Sequence, residues 1–374
     1  MNVAEILKNR MGFSFEVFPP KTDVGMEKLC GEGGVLDHLY ELNPDYISCT
    51  YGAGGTNVGK NLEVLDKIKK DGKAIPVTHF TCVANTKEGI KDQLQTYLDH
   101  GINHMLALRG DIPFGWTGTN GDLHYATELV KFVRKEFGDK FTIAVAGSPE
   151  GHIACRSIEA DISFLKQKQD EGADYIMTQL CWDMDQFRWW MDAIRGAGIW
   201  LPVDVGIMPV LDAAATINMA LSRNGCVMPR ALAEIISKHW IFPNPFAPNE
   251  SEESIAKKKA EFKEAGMEYT NKLIDEYRVC KWEQRQPKRE RDPEPSGSST
   301  GRVREHRAKK QKETDGNGAQ RDETPCNAMK RPVTTRNSLE EIRGEGKKEE
   351  RKTDASHLAQ SDAGASSAHP PAEQ

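Results

Sequence analysis

A carboxylate set among large apolar side chains is the first feature of this 374-residue chain that could do chemistry. Glu16 lies in Phe15-Glu16-Val17-Phe18, so it points either into a cavity or into a packed interface. A strand acid that has found a lysine partner is the plainer alternative. The apolar neighbours favour a carboxyl with a raised pKa, suited to general-acid work near neutral pH. Leu108-Arg109-Gly110-Asp111 sets a guanidinium and a carboxylate across a glycine. That pair suits a phosphate or ring-nitrogen contact with a charge near a reaction centre, although a pair that only staples a loop has the same look. His79, in Thr78-His79-Phe80-Thr81-Cys82, would by itself more often be a hydrogen-bonded core residue than a catalyst. A second histidine, His152, closes Gly147-Ser148-Pro149-Glu150-Gly151-His152. Thr178-Gln179 brings a buried glutamine able to offer a donor and an acceptor to a planar heterocycle, or to neighbouring backbone. Thr50-Tyr51-Gly52-Ala53-Gly54-Gly55-Thr56 is a glycine turn that can carry backbone close to a cofactor or simply turn.

These residues need elements to position them. Short, largely apolar runs at 13–18, 46–51, 76–82, 105–109, 142–146, 175–180 and 203–208 read as strands, each followed by Gly, Pro, Asp or Asn. Between them lie stretches of helical period at 86–100, 123–137 and 157–171, the first with Ile90, Leu94, Tyr97 and Leu98 on one face. Alternating strands and helices imply a parallel sheet, and units of this length suit a (β/α)8 TIM barrel. No Gly-x-Gly-x-x-Gly follows the first strand; Pro19-Pro20-Lys21 does, which counts against a Rossmann domain. In a barrel the carboxyl ends of the strands carry the active site, and every residue singled out above falls at such an end. A final helix is expected over 252–277, capped by Ser251, with Ile255, Phe262, Met267, Leu273 and Ile274 spaced for burial. The residues after it, 278–285, lack period-two patterning and apolar content, so a barrel lacking its eighth strand is expected.

Composition narrows the class. The formal net charge of −6 argues against a nucleic-acid-binding protein, and the basic clusters at 307–312 and 347–352 are diluted by acids. No apolar run approaches a membrane span, and residues 1–10 are too polar for a signal peptide. The eight cysteines form no C-x-x-C pair, so metal and redox motifs have no support and a reduced, cytoplasmic setting is expected. Residues 281–374 hold only seven large apolar side chains, too few to offset backbone ordering. The expected organisation is a barrel domain over 1–280 and a disordered, charged low-complexity tail over 281–374.

The order of motifs resembles the methylenetetrahydrofolate reductase family in its bacterial-type, FAD-dependent form. The likeness is carried by Phe13-Ser14-Phe15-Glu16-Val17-Phe18-Pro19-Pro20-Lys21, Thr50-Tyr51-Gly52-Ala53, His79-Phe80-Thr81-Cys82, Ala107-Leu108-Arg109-Gly110-Asp111, Pro149-Glu150-Gly151-His152, Thr178-Gln179 and Gly206-Ile207-Met208-Pro209. It runs over about residues 10–277. The resemblance implies a TIM barrel holding FAD, and hydride passing from NAD(P)H through FAD to 5,10-methylenetetrahydrofolate. It further implies a place in one-carbon metabolism and methionine biosynthesis, and a homo-oligomer. By the same resemblance Glu16 protonates the folate so that its five-membered ring opens, Asp111 sets the charge near flavin and folate, and Gln179 holds the pterin. Thr50, His79, Arg109, Gly110, Asp111, Tyr125, Ala126, His152, Asp161 and Lys168 match positions that hold FAD.

Three departures stand out. Ser148 takes the place of a common aromatic against the flavin, Ala213 takes that of a phenylalanine that packs on substrate, and the last strand is absent. A seven-stranded barrel exposes two parallel edges, so reduced stability or loss of FAD is expected. These departures keep two alternatives open. One is a reductase fed by a partner electron-transfer protein; the other is a non-catalytic or defective flavin- or folate-binding subunit. A pterin-dependent methyltransferase on a similar barrel, needing no flavin, is a weaker third.

Overall fold

The computed structural model describes residues 2–51, 58–222, 226–239 and 251–279. The glycine turn at 52–56 and the segment read as a disordered tail lie outside the described residues. The chain opens with α1 (Val3–Asn9), β1 (Ser14–Val17), α2 (Asp23–Cys30) and α3 (Val35–Tyr40). It then alternates through β2 (Tyr46–Cys49), α4 (Val58–Asp71), β3 (Ile75–Thr81), α5 (Lys87–Asp99), β4 (His104–Leu108) and α6 (Ala126–Phe137). There follow β5 (Thr142–Gly147), α7 (Ile158–Asp170), β6 (Tyr175–Thr178), α8 (Met184–Gly196) and β7 (Val203–Asp204), and then three helices, α9 (Ala213–Leu221), α10 (Arg230–His239) and α11 (Glu252–Val279).

The seven strands form one parallel sheet in sequence order, the curled sheet of an α/β barrel. Among the described residues there is no eighth strand. Alternate strand residues divide between two cores, as the pleat requires. Ile47, Cys49, Phe80, Met105, Ala107, Ile143, Val145 and Ile176 pack outward against the helices. Tyr46, Val77, Leu106, Ala144 and Tyr175 face the interior and meet Val3, Ala4 and Leu7 of α1. This seven-residue helix therefore plugs the amino end of the sheet. An Asn2–Glu5 capping box starts it, and the Val3 N–H donates to His104 Nε2 at 3.4 Å. Asp204 on β7 accepts hydrogen bonds from Ser14 on β1 and Tyr46 on β2, so the curl carries the last strand back toward the first.

The helices follow their apolar periods. α8 buries Met184, Phe187, Trp190, Met191 and Ile194, a stripe at three- and four-residue spacing, each worth roughly 1.5–3 kcal/mol of burial. Thr86, Ser157 and Ser251 cap α5, α7 and α11 as their sequences require.

Two expectations change. The strand read over 203–208 pairs only over Val203–Asp204. Beyond it the Gly206 N–H donates to Thr178 Oγ1 at 3.1 Å instead of joining the ladder. In α11 Phe262 and Leu273 are buried, but Met267 is 37% exposed. Gly266 takes the contact face instead, because a Cβ there would lie 2.0 Å from the Val210 carbonyl oxygen. Close backbone approach turns the helix so that Thr270 and Tyr277 face inward and Met267 does not.

Candidate active site

The strands deliver Glu16 and His79 to the same interior face across β2. Glu16 Oε2 lies 3.5 Å from His79 Nε2. His79 is buried, and burial pushes its pKa down to about 4, so the imidazole is neutral near pH 7 and the approach is not an ion pair. Solvent reaches 46% of the Glu16 side chain through the open mouth, yet the surrounding protein still raises its pKa above the ordinary carboxylate value. A cationic histidine at this distance would lower it again; a neutral one does not. His79 Nε2 and Thr81 Oγ1 are buried there without a hydrogen-bond partner. Thr81 was not singled out from sequence. The signal was present, since a residue two positions beyond His79 on one strand shares its face.

A second group gathers over β4 and β5. The Asp161 carboxylate, in the first turn of α7, accepts from the His152 N–H at 3.3 Å and the Cys155 thiol at 3.5 Å. Lys168 reaches back from α7 to donate to the Ala146 carbonyl at 3.0 Å. Burial depresses the Lys168 pKa, opposed by Asp161 and Cys155. Burial also depresses His152, with Arg109 and Lys168 adding to the effect and Asp161 and Asp111 opposing it, so these four charges act on one imidazole. Arg109 Nε donates to the Gly110 carbonyl at 3.1 Å. Gly110 needs its absent side chain: φ is +88°, and a Cβ would meet Val83 Cγ1 at 2.6 Å.

The remaining residues stand around this centre. The Thr50 N–H donates to the Val17 carbonyl at 3.0 Å, just past the carboxyl end of β2. Tyr125 is the exposed N-cap of α6, with Ala126 its first residue. Gln179 corrects the sequence reading: it is exposed rather than buried, because β6 ends at Thr178 and Gln179 stands beyond the strand. Its N–H donates to the Gly147 carbonyl at 2.8 Å. Ser148 lies in the loop after β5, and Ala213 is the first residue of α9. Among the described residues no His, Cys, Asp and Glu group is placed to hold a metal ion.

Burial of the two interior histidines has a stability consequence. His79 and His104 are each held near pKa 4 chiefly by burial, below the ordinary value of 6.5. Their unfolded forms take up protons first as pH falls, so the stability they contribute above pH 6.5 is lost toward pH 4. Asp204 opposes this: burial raises its pKa to about 6, so its contribution is present at low pH and is lost as pH rises through 6. His104→Gln keeps an acceptor for Val3 and should make urea unfolding less acid-sensitive between pH 7 and 5. An identical loss in both proteins would refute this assignment.

The fold and these groups define a class: an α/β-barrel protein with a carboxyl of raised pKa and an adjoining cluster of charged residues at the carboxyl ends of its strands. The methylenetetrahydrofolate reductase family model matches residues 2–240. Methylenetetrahydrofolate reductase 1 of Schizosaccharomyces pombe is 37% identical over 206 residues, covering 54% of this chain and 34% of that protein. Methylenetetrahydrofolate reductase (NADH) 1 of Arabidopsis thaliana is 36% identical over 225 residues, covering 57% and 38%. The 5,10-methylenetetrahydrofolate reductase of Salmonella typhimurium is 34% identical over 209 residues, covering 56% and 68%. This chain belongs to the methylenetetrahydrofolate reductase family. The match spans about a third of the length of the eukaryotic relatives and about two thirds of the bacterial one.

Proposed function

We propose that this barrel reduces 5,10-methylenetetrahydrofolate to 5-methyltetrahydrofolate, with FAD held at the mouth and NAD(P)H as the electron source. The observation that carries the reading is a carboxyl of raised pKa, Glu16, beside a neutral histidine in the barrel mouth. The donor set fits a flavin nucleotide. His79 Nε2 and Thr81 Oγ1 are buried polar atoms in need of partners, and Arg109 and Lys168 supply positive charge for a pyrophosphate. Thr50, His79, Arg109, Gly110, Asp111, Tyr125, Ala126, His152, Asp161 and Lys168 would hold it. Bound there, FAD supplies two-electron hydride chemistry between the nicotinamide and the folate.

The chain's own residues do the rest. Glu16 delivers a proton to the folate nitrogen whose departure opens the five-membered ring, leaving a carbon able to accept hydride. Neutral His79 keeps the Glu16 proton available. Asp111 biases the charge at the reacting centre, and Gln179 offers its amide to the pterin edge from beyond β6. Among the described residues no helix is long and apolar enough to cross a membrane.

The test is a visible spectrum of the purified chain, followed by anaerobic NADH, NADPH or reduced ferredoxin and then the folate. A flavin band that bleaches with nicotinamide and returns with the folate is the expected result. Bleaching by ferredoxin alone would favour the partner-donor reading, to which the small Ala213 at the head of α9 lends weight. No flavin band would overturn the reductase assignment in favour of a non-catalytic relative.

A further inference from the structure

Glu150 takes no part in the proposed chemistry, yet its carboxylate joins three segments at this end of the sheet. Oε1 lies 3.6 Å from the Cys181 thiol, which divides its one proton between Glu150 and the Asp183 carbonyl at 3.2 Å, and Oε2 accepts from the Val227 N–H at 2.7 Å. Cys181 lies two residues beyond Gln179 in the β6–α8 loop, and Val227 lies just before α10. Both partners face Glu150 as donors. Burial and the nearby carboxylate push the Cys181 thiol far above its ordinary value, so it stays protonated. Around this carboxylate the loop after β5 is tied again to the β6–α8 segment: Gln179 N–H donates to Gly147 O at 2.8 Å, and Gln186 Nε2 donates to Pro149 O at 2.7 Å. From the far side Tyr277 donates its hydroxyl to Cys181 O at 2.9 Å and Tyr269 donates to Trp182 O at 3.1 Å. Among the described residues Glu150 is the one side chain that hydrogen-bonds both the β6–α8 loop and the approach to α10.

We propose that Glu150 is a positioning residue: it fixes the height of the loop carrying Gln179 over the barrel and thereby sets the affinity for a reduced-folate substrate. The proposal rests on the folate reading of the site. It differs from a general packing role because the carboxylate meets two donors at once, and a neutral amide of the same size cannot accept from both in the same way. In Glu150→Gln a single oxygen remains, which can serve the Val227 N–H or the Cys181 thiol but not both, and the charge that strengthens both contacts is gone.

The test uses the full chain, with hydrogen exchange and folate affinity measured side by side. Glu150→Gln should raise the exchange rate of the Val227 amide and of residues 179–183. It should also weaken 5-methyltetrahydrofolate binding about tenfold, the loss expected for one hydrogen bond to a charged acceptor. Where turnover is measurable, the folate KM should rise with kcat within about twofold. Cys181→Ala should reproduce part of the effect, and Cys181→Ser, which keeps a donor, should restore it. Unchanged exchange in Glu150→Gln would overturn the tether. Faster exchange with unchanged folate affinity, or an equal loss in Cys181→Ser and Cys181→Ala, would overturn its positioning role. If the unaltered chain binds no reduced folate, the proposed function fails and the substrate half of this inference fails with it, while the exchange data still decide the tether.

Discussion

Glu16→Gln should lower folate turnover by about 10²- to 10⁴-fold, the usual worth of a general acid, while NAD(P)H still reduces the bound flavin at close to its original rate. The substitution keeps the shape and removes the transferable proton. The two half-reactions separate this from a binding defect, because only the one that consumes folate needs the proton. The pH dependence has a defined sign. Glu16 must be protonated to act, and burial raises its pKa, so the folate half-reaction should decline as pH rises through that raised value. The Gln variant should lose that decline along with its rate. Stopped-flow measurement of the two half-reactions checks both points. Equal slowing of both would show that Glu16 holds the cofactor and is not the acid.

The largest effect on stability is expected far from the mouth in sequence. In Gly266→Ala the new Cβ would sit 2.0 Å from the Val210 carbonyl oxygen, a backbone atom that cannot swing aside. α11 must shift outward, and the 3.0 Å hydrogen bond from the Val210 N–H to Thr270 Oγ1 goes with it. Overpacking of this kind costs about 1–3 kcal/mol or more, and each kcal/mol lowers Tm by about 2–4 °C in a domain of this size. Tyr269 and Tyr277 hold the β6–α8 loop from the same helix, so weakened folate binding should accompany the lower Tm. Gly59→Ala is the control. It lies in α4 with nothing within 4 Å of the added Cβ, and a helical Gly→Ala change there should be neutral or stabilising by up to about 1 kcal/mol. Equal melting of Gly266→Ala and the unaltered protein would show that the approach of α11 to Val210 is not needed.

Much of the architecture was legible because its signals are local. Short, largely apolar runs marked all seven strands, and Thr86, Ser157 and Ser251 marked helix starts within a residue. Other features have no local signal. α1 is short and mixed in polarity, and its role as a plug follows only from the interior face of the sheet that receives Val3, Ala4 and Leu7. The face of α11 was misread at Met267 because the decisive contact is a backbone atom of Val210, far away in sequence. Gln179 looked buried because it follows a buried run, but the strand ends one residue earlier.

The sequence by itself determined the residue types, the alternation of elements and the parallel sheet, since these depend on steric preference and periodicity within a few residues. Only the tertiary structure decided which of those residues meet. The curl of the sheet brings Glu16 to His79 across an intervening strand, and it gathers His152, Asp161, Lys168 and Arg109 over β4 and β5. It also places Glu150 between Cys181 and Val227. Protonation belongs to the same level. His79 is neutral because burial excludes water from it, and Glu16 is raised because the surrounding protein partly desolvates it; both are properties of the packed chain that no single segment carries.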